Sequence, residues 1–154
     1  LFSSEELGGY FPDPIHQVNL ARTVGVGTVR GMHVQLPPDS EYKLVSCIDG
    51  AVFDVALDLR VGGGSYLNWV GVTLTADSRS GLLLPPGVAH GLQALTEVCT
   101  IAYVHSAPYV RGREIVVSAT DPTAAIEWPL PIVNRSRRDL QDSLPPGSLM
   151  GIKW

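Results

Sequence analysis

Short apolar runs separated by glycine and proline are the feature that most limits how this chain can fold. No helical period is convincing before the C-terminal part, and the runs follow one another at regular spacing. The pattern predicts strands over residues 24–35, 42–48, 51–60, 66–75, 81–84, 91–95 and 98–104. A series of short strands with turn residues between them predicts an all-β fold, either a sandwich or a jelly-roll barrel.

Residues 42–60 are predicted to form a β-hairpin within this series. Asp49-Gly50 separates two apolar runs, and this pair tolerates the positive φ angles of a tight turn. The second run alternates between two faces. Its apolar face comprises Ala51, Phe53, Val55, Leu57 and Leu59, and its polar face comprises Asp54, Asp58 and Arg60.

Composition and charge are those of a folded globular protein. Of the 154 residues, 45% are hydrophobic and 17% are charged, so we expect a single domain spanning residues 1–154. The net charge of −4 makes nucleic acid an unexpected partner. No apolar run approaches the ~18 residues of a membrane span, so we expect no membrane partner and a cytoplasmic location. The isolated Cys47 and Cys99 are expected to be reduced core residues.

The two ends of the chain carry weaker signals. Ser3–Glu6 can open a short helix that Gly8-Gly9 would end, and a sequence that starts at Leu1 without methionine leads us to expect a preceding segment. Beyond Ala119 the chain is loop-like and includes the proline-rich stretch Trp128–Pro131. Such a segment is predicted to wrap the barrel and to close over its mouth.

The stretch Arg30–Gln35 (Arg-Gly-Met-His-Val-Gln) carries two ionisable side chains inside a predicted strand. Ionisable groups are costly to bury unless they are paired, so this strand is predicted to line a cavity or an exposed face. Strict alternation places His33 on the same face as Gly31 and Gln35, opposite Arg30. A β-bulge, or an arginine side chain that reaches round the strand end, would bring Arg30 and His33 into one pocket.

Three more residues on or just after the predicted strands carry chemistry: Lys43, His90 and Tyr109. Singly, such a histidine is more often a hydrogen-bonded structural residue and such a tyrosine a packing residue. A jelly-roll metal site of the cupin kind needs a His-x-His pair, a nearby glutamate and a further histidine. Here Gln35 follows His33, and the ammonium of Lys43 would repel a divalent cation. We therefore predict no metal and no other cofactor.

Metal-free acid–base chemistry is the alternative that these side chains allow. Imidazole has an ordinary pKa of about 6.5 and is a competent base near neutral pH. An ammonium group in a cavity can stabilise an enolate oxygen, and a phenol can donate a proton to a carbanion. A base, an oxyanion stabiliser and an acid are the parts that proton abstraction next to a carbonyl requires.

Blocks of sequence spread along nearly the whole chain share one resemblance. They are His16–Asn19, Val29–His33, Lys43–Val45, Val52–Arg60, Pro85–Gly91, Ala107–Tyr109, Asp121-Pro122, Ile126–Pro129 and Ser136–Asp139. Arg-Gly-x-His combined with Val-Phe-Asp-Val-x-x-Asp-Leu-Arg is the most specific part. Together the blocks resemble the dTDP-4-dehydrorhamnose 3,5-epimerase family and the related dTDP-4-keto-6-deoxyhexose epimerases of antibiotic-sugar pathways.

The resemblance implies a fold and a set of roles. The fold would be a cupin-type jelly-roll β-barrel with a short C-terminal wrapping segment, assembled as a homodimer and using no metal. His33 would remove the proton α to the C4 ketone of a dTDP-linked 4-keto-6-deoxy sugar, and Asp139 would orient His33. Lys43 would hold the enolate oxygen, and Tyr109 would return a proton from the opposite face. His90 would have a supporting role in the same pocket.

Four further residues match family positions that contact the nucleotide diphosphate or the sugar: Gln17, Asn19, Arg30 and Arg138. A pyrophosphate attracts guanidinium groups in bidentate geometry. The chain departs from the family near its start, where members usually carry Asp-x-Arg-Gly before a Phe pair and then a glutamate. This chain begins at Leu1-Phe2 and has Ser4 in place of the glutamate, and Pro108 replaces one of two adjacent tyrosines.

Three functions remain open from the sequence. The first is an epimerase that acts at C3, C5 or both, and the second is a 3,4-ketoisomerase of the same nucleotide sugars. The third is a non-catalytic cupin that binds sugar nucleotides. Arg-Gly-x-His and Tyr109 favour the epimerase, and the departures from the family pattern favour an antibiotic-sugar role over a rhamnose role.

Overall fold

The computed structural model describes residues 10–11, 14–145, 147–149 and 151–153, and the helix predicted at Ser3–Glu6 lies outside them. The described part contains ten strands and one five-residue helix. The strands are β1 (Gln17–Val24), β2 (Thr28–Gln35), β3 (Lys43–Asp49), β4 (Ala51–Asp58), β5 (Trp69–Thr75), β6 (Gly81–Leu84), β7 (Val88–Ala94), β8 (Val98–His105), β9 (Glu114–Val116) and β10 (Asn134–Arg135), and the helix is α1 (Arg137–Gln141).

The strands form two sheets that face each other. The four-stranded sheet has the order β1-β8-β3-β6, and all of its pairs are antiparallel. The six-stranded sheet has the order β10-β2-β7-β4-β5, and β9 also pairs with β2. Apart from β4 and β5, strands that neighbour one another in space are not consecutive in sequence, because the chain crosses repeatedly from one sheet to the other. The predicted all-β jelly-roll barrel is confirmed.

The predicted hairpin over residues 42–60 is wrong. Its two arms belong to different sheets, since β3 pairs with β6 and β8 whereas β4 pairs with β5 and β7. Gly50 does adopt a positive φ of 73°, as the turn requires. Each arm has an apolar face, which can pack against the other arm across the barrel. The same pattern also suits two arms that pair edge to edge through backbone hydrogen bonds. The turn therefore carries the chain from one sheet to the other.

Strand β4 is buried on both of its faces, because the barrel has an inner and an outer core. The inner core lies between the sheets and comprises Val45, Cys47, Val52, Ala56, Leu74, Leu84, Leu92, Ala94, Cys99 and Ile101. In the outer core, Val55, Leu57 and Leu59 pack against the C-terminal segment through Ala124 and Ile152. The C-terminal segment thus wraps the six-stranded sheet, and Cys47 and Cys99 are free and buried as expected.

Strand β1 was not predicted, because its pattern is the reverse of an ordinary surface strand. The polar Gln17 and Asn19 face the barrel interior, whereas Val18 and Leu20 are exposed on the outside. Interior polar residues are uncommon unless they serve a site. Among the described residues, no helix has the length and apolar character needed to cross a membrane.

Candidate active site

A bulge in β2 brings Arg30 and His33 to the same side of the strand. Gly31 pairs with Gly91 and His33 pairs with His90, so that Met32 is an extra residue with no partner on β7. A single inserted residue reverses the alternation of a strand. Of the two routes by which both side chains could reach one pocket, the bulge is the one observed.

Gly31 is required at this bulge by its backbone and by its neighbours. Its φ of 104° lies in the region that favours glycine, and a Cβ there would lie 2.5 Å from the carbonyl oxygen of His90. The Met32 side chain is fully buried in the outer core. The bulge at Arg-Gly-Met-His therefore directs the side chains of Arg30 and His33 inward and the side chain of Met32 outward.

A cavity of about 400 Å³ opens between the two sheets. Eight of the nine predicted site residues line it: Gln17, Asn19, Arg30, His33, Lys43, His90, Tyr109 and Arg138. The ninth, Asp139, lies directly behind His33. The other lining residues are Ala21, Gln35, Glu41, Tyr103, His105 and Glu114.

Asp139 holds the imidazole of His33. Its Oδ1 lies 2.6 Å from Nε2 of His33, and its Oδ2 accepts a hydrogen bond of 3.3 Å from the backbone N–H of Gly31. Asp139 is only 2% exposed, and Ser136 caps the start of helix α1 by accepting from the Asp139 backbone N–H. Burial alone would raise the pKa of Asp139, but the hydrogen bond and the charge of His33, with the donors at Ser136 and Gly31, outweigh it and lower that pKa.

His90 has a carboxylate partner of the same kind. Its Nε2 lies 2.6 Å from Oδ1 of Asp54, which is fully buried on β4. The side of β4 predicted to be polar thus faces the barrel interior at this point. The ring of Tyr103 meets the His90 ring edge-on at 5.7 Å. Burial, and next the negative charge of Asp54, raise the pKa of Tyr103 well above its ordinary value, so that its phenol stays neutral.

Lys43 and His105 share one carboxylate, Glu41. The Lys43 Nζ lies 3.3 Å from Oε1 of Glu41, and Nδ1 of His105 lies 2.9 Å from Oε2. Burial raises the pKa of Glu41, but the hydrogen bond from His105 and the charges of Lys43 and His105 lower it overall. Sequence reasoning missed Glu41, Tyr103 and His105. The available signal was alternation, since His105 stands two residues after Tyr103 and extends the same strand face.

Tyr109 lies on a loop that two glutamines hold against the cavity. The Oε1 of Gln17 accepts from the Tyr109 backbone N–H at 3.0 Å, and the Oε1 of Gln35 accepts from the Val110 N–H at 2.8 Å. The Gln35 amide nitrogen also donates to the carbonyl of Pro108. Gln35, which replaces the second histidine of a metal motif, is thus a clamp for this loop.

Arg138 reaches the phenol of Tyr109 from helix α1. One of its terminal nitrogens donates to the phenolic oxygen at 3.1 Å, and the guanidinium carbon lies 5.5 Å from the ring centre. Arg138 also forms an ion pair with Glu114. Among the residues that the structure describes, no group of three or more His, Cys, Asp or Glu side chains is arranged to hold a metal ion.

Comparison with known proteins places the chain in a family. The family model described as dTDP-4-dehydrorhamnose 3,5-epimerase matches residues 2–144. A protein of Mycobacterium tuberculosis (strain ATCC 25618 / H37Rv) named dTDP-4-dehydrorhamnose 3,5-epimerase is 42% identical over 117 residues, which are 75% of this chain and 57% of that protein. A dTDP-4-dehydrorhamnose 3-epimerase of Streptomyces niveus is 41% identical over 133 residues, 86% of this chain and 63% of the relative. The chain thus spans about 57–63% of the length of these relatives.

Solved structures agree. NovW, a 4-keto-6-deoxy sugar epimerase from the novobiocin biosynthetic gene cluster of Streptomyces spheroides, superposes with a TM-score of 0.86 at 36% identity, covering 93% of this chain and 72% of that one. RmlC from Legionella pneumophila Philadelphia 1, solved in complex with dTDP-4-keto-L-rhamnose, gives a TM-score of 0.83 at 37% identity, covering 92% and 74%. From the match over residues 2–144 and this agreement in fold, the chain belongs to the dTDP-4-dehydrorhamnose 3,5-epimerase family.

Proposed function

We propose that the protein is an epimerase that inverts C3, C5 or both in a dTDP-linked 4-keto-6-deoxyhexose, without a metal or other cofactor. The observation that carries the proposal is the His33–Asp139 pair at 2.6 Å, which opens into the same cavity as Lys43 and Tyr109. The relatives named above are epimerases of such sugars. The reaction belongs to deoxysugar biosynthesis, and an antibiotic-sugar role agrees with the likeness to NovW.

His33 is the base in this proposal. Its Nε2–H donates to Asp139, which leaves Nδ1 to accept the proton on the carbon next to the C4 ketone. The electron pair of the broken C–H bond moves to the ketone oxygen and forms an enolate. The carboxylate of Asp139, kept ionised by its lowered pKa, stabilises the imidazolium that results.

Lys43 stabilises the enolate oxygen. Its ammonium lines the cavity and is held by Glu41 at 3.3 Å, so that it is fixed in place before the charge develops. Donors that are already oriented give the largest electrostatic contribution in a site that excludes water. His90, held at 2.6 Å by the fully buried Asp54, supports the same pocket.

Tyr109 returns a proton to the opposite face of the carbon, which inverts it. The phenol loses its proton in this step, and the guanidinium of Arg138 at 3.1 Å from the phenolic oxygen stabilises the phenolate. Proton transfer from the imidazolium of His33 would instead restore the original configuration. The ratio of inversion to simple exchange therefore depends on where Tyr109 is placed.

The nucleotide diphosphate is bound by Arg30 and Arg138, with Gln17 and Asn19 contacting the nucleotide or the sugar. All four side chains line the cavity. The Nε of Arg30 donates to Thr23 at 2.8 Å. A bidentate contact of the two terminal nitrogens of the guanidinium with a pyrophosphate is part of the proposal. Arginine side chains at the cavity account for anion binding by a chain of net charge −4.

A cytoplasmic homodimer is the assembly that we propose. Val18 and Leu20 of edge strand β1 are 61% and 68% exposed on the outer face of the four-stranded sheet. An exposed apolar face on an edge strand is suited to burial against a second copy. Unpaired buried cysteines agree with a reducing compartment. Sedimentation velocity is expected to give the mass of a dimer, and a monomer would contradict this part of the proposal.

Incubation with a dTDP-4-keto-6-deoxyhexose in deuterated water tests the function. NMR is expected to find deuterium at C3, C5 or both, together with product of inverted configuration at the labelled carbon. A product whose keto group has moved from C4 to C3 would identify a ketoisomerase instead. Tight dTDP binding without any exchange would identify a non-catalytic binding protein.

A further inference from the structure

A chain of side-chain hydrogen bonds crosses the four-stranded sheet and joins Tyr109 to Lys43. It runs through four residues that share the cavity face of the sheet or border it: Gln17, Asn19, His105 and Glu41. The strand register explains the arrangement. His105 on β8 is the direct partner of Gln17 on β1 and of Lys43 on β3, so these three side chains form one row across the sheet.

The half of the chain next to Tyr109 is built from amides. The Tyr109 backbone N–H donates to Oε1 of Gln17 at 3.0 Å, and Nε2 of Gln17 donates to Oδ1 of Asn19 at 3.0 Å. The Nδ2 of Asn19 then lies 3.5 Å from Nε2 of His105, the longest link of the chain. A backbone N–H can only donate, so the orientation of both amides follows from this end.

The half next to Lys43 is built around a carboxylate. Nδ1 of His105 lies 2.9 Å from Oε2 of Glu41, and Nζ of Lys43 lies 3.3 Å from Oε1. A carboxylate can only accept, so Nδ1 of His105 must carry a proton. The amide of Asn19 donates toward Nε2, so Nε2 must be the acceptor. Every link is satisfied only when His105 is the neutral Nδ1–H tautomer.

Protonation of His105 would break the chain at its centre. An added proton on Nε2 would face the Nδ2 donor of Asn19, which could then be satisfied only by a flip of the Asn19 amide and, in turn, of the Gln17 amide. The Tyr109 N–H would lose its acceptor. The charged groups that face His105 are Glu41 and Lys43, and the neutral ring of Tyr103 stacks on it at 6.1 Å.

We propose that Glu41 and His105 are positioning residues for epimerisation, which act by fixing the proton donor Tyr109 and the enolate-binding Lys43 relative to each other. The inference rests on the proposed function and adds two residues that it does not need for substrate contact. Loss of these hydrogen bonds would leave the base His33 in place, because His33 lies on the opposite sheet and is held there by Asp139. The enolate would still form, and it would more often regain its proton on the original face.

The positioning role is isolated by the ratio of inverted product molecules to deuterium atoms incorporated from the solvent. We expect His105→Phe, which keeps a ring against Tyr103 but removes both nitrogens, to lower this ratio about 10-fold to 100-fold. Asn19→Leu on the exposed strand β1 is a second variant that removes the central link without touching the core, and it should lower the ratio in the same way. Arg22→Gln, on the outer face of β1, is the matched control and should leave the ratio unchanged.

The KM for the substrate, measured beside the ratio, provides the second readout, and we expect it to stay near the wild-type value in His105→Phe. A wild-type ratio in both His105→Phe and Asn19→Leu, or a raised KM with no change of the ratio, would overturn the inference while the epimerase assignment stands. Absence of any exchange in the wild-type protein would overturn both.

Discussion

The two walls of the cavity hold their polar side chains in different ways. On the six-stranded sheet, His33 and His90 each lie 2.6 Å from a carboxylate of their own, and these carboxylates, Asp139 and Asp54, are 2% and 0% exposed. On the four-stranded sheet, Lys43 and His105 share the carboxylate of Glu41. From there the contacts continue through exposed amides to the loop of Tyr109.

The wall that carries His33 and His90 is therefore the fixed one, and the wall that carries Lys43 and His105 is the adjustable one. A carboxylate is costly to bury without a partner, so a histidine bonded to a buried carboxylate keeps one orientation. The side-chain amides of Gln17 and Asn19 at the cavity edge can instead flip at small cost, which exchanges their donors and acceptors. In the proposed mechanism the base is therefore on the fixed wall, and the placement of the proton donor depends on the adjustable wall.

We expect the largest effect from Asp139→Asn, which removes the carboxylate partner of His33 on the fixed wall. An amide in place of the carboxylate no longer stabilises the imidazolium and can favour the wrong tautomer of His33. We expect the rate of deuterium incorporation into substrate to fall about 10³-fold to 10⁴-fold while the fold is retained. Asp142→Asn, at the exposed end of the same helix, is the control and should exchange at the wild-type rate. Equal rates in the two variants would remove Asp139 from the mechanism.

Tyr109→Phe should separate proton exchange, which depends on the fixed wall, from inversion, which depends on the adjustable wall. The base remains, so deuterium should still enter the substrate, but formation of inverted product should fall about 10²-fold because the acid on the opposite face is gone. NMR of substrate and product in one sample measures both quantities. Tyr10→Phe, at an exposed tyrosine, serves as the control. If exchange and inversion fall together, Tyr109 is not the proton donor that distinguishes them.

The smallest expected effect is on the free energy of unfolding in acid, to which each wall contributes one carboxylate. The pKa values of Asp139 and Glu41 are both lowered in the folded protein, so each carboxylate stabilises the fold above its ordinary pKa of about 4, and that stability is lost as the pH falls through the lowered value. Asp139→Asn and Glu41→Gln should each reduce the loss of unfolding free energy between pH 5 and pH 2.5, by about 1 kcal/mol. Urea titrations at each pH measure this, and curves parallel to the wild type would contradict it.

Much of the fold was predictable from local pattern, and the exceptions have physical causes. Regular strand runs with glycine and proline between them indicated the jelly roll. The hairpin at Asp49-Gly50 was wrong because a tight turn and two apolar faces suit strands of opposite sheets as well as paired strands. Strand β1 was missed because the site reverses its polarity, with Gln17 and Asn19 inward and Val18 outward.

The candidate site was predictable where a motif or a resemblance named its residues. Arg30 and His33 were found in one short stretch, for which a bulge was one of two open routes into a shared pocket, and Asp139 came from the family pattern. Glu41 and His105 carried no motif, and their meeting with Lys43 depends on the pairing of β3 with β8, which the sequence alone does not specify. The roles of all these residues stay predictions until exchange is measured.

The role of His33 as the base is tested by exchange of substrate protons with solvent, compared in the wild type, His33→Ala and His16→Ala. His16 is the one histidine of the chain that does not line the described cavity, so it is the matched control. Wild-type protein and His16→Ala should incorporate deuterium at C3 or C5 at equal rates, and His33→Ala should be slower by at least about 10³-fold. Undiminished incorporation in His33→Ala would show that His33 is not the base.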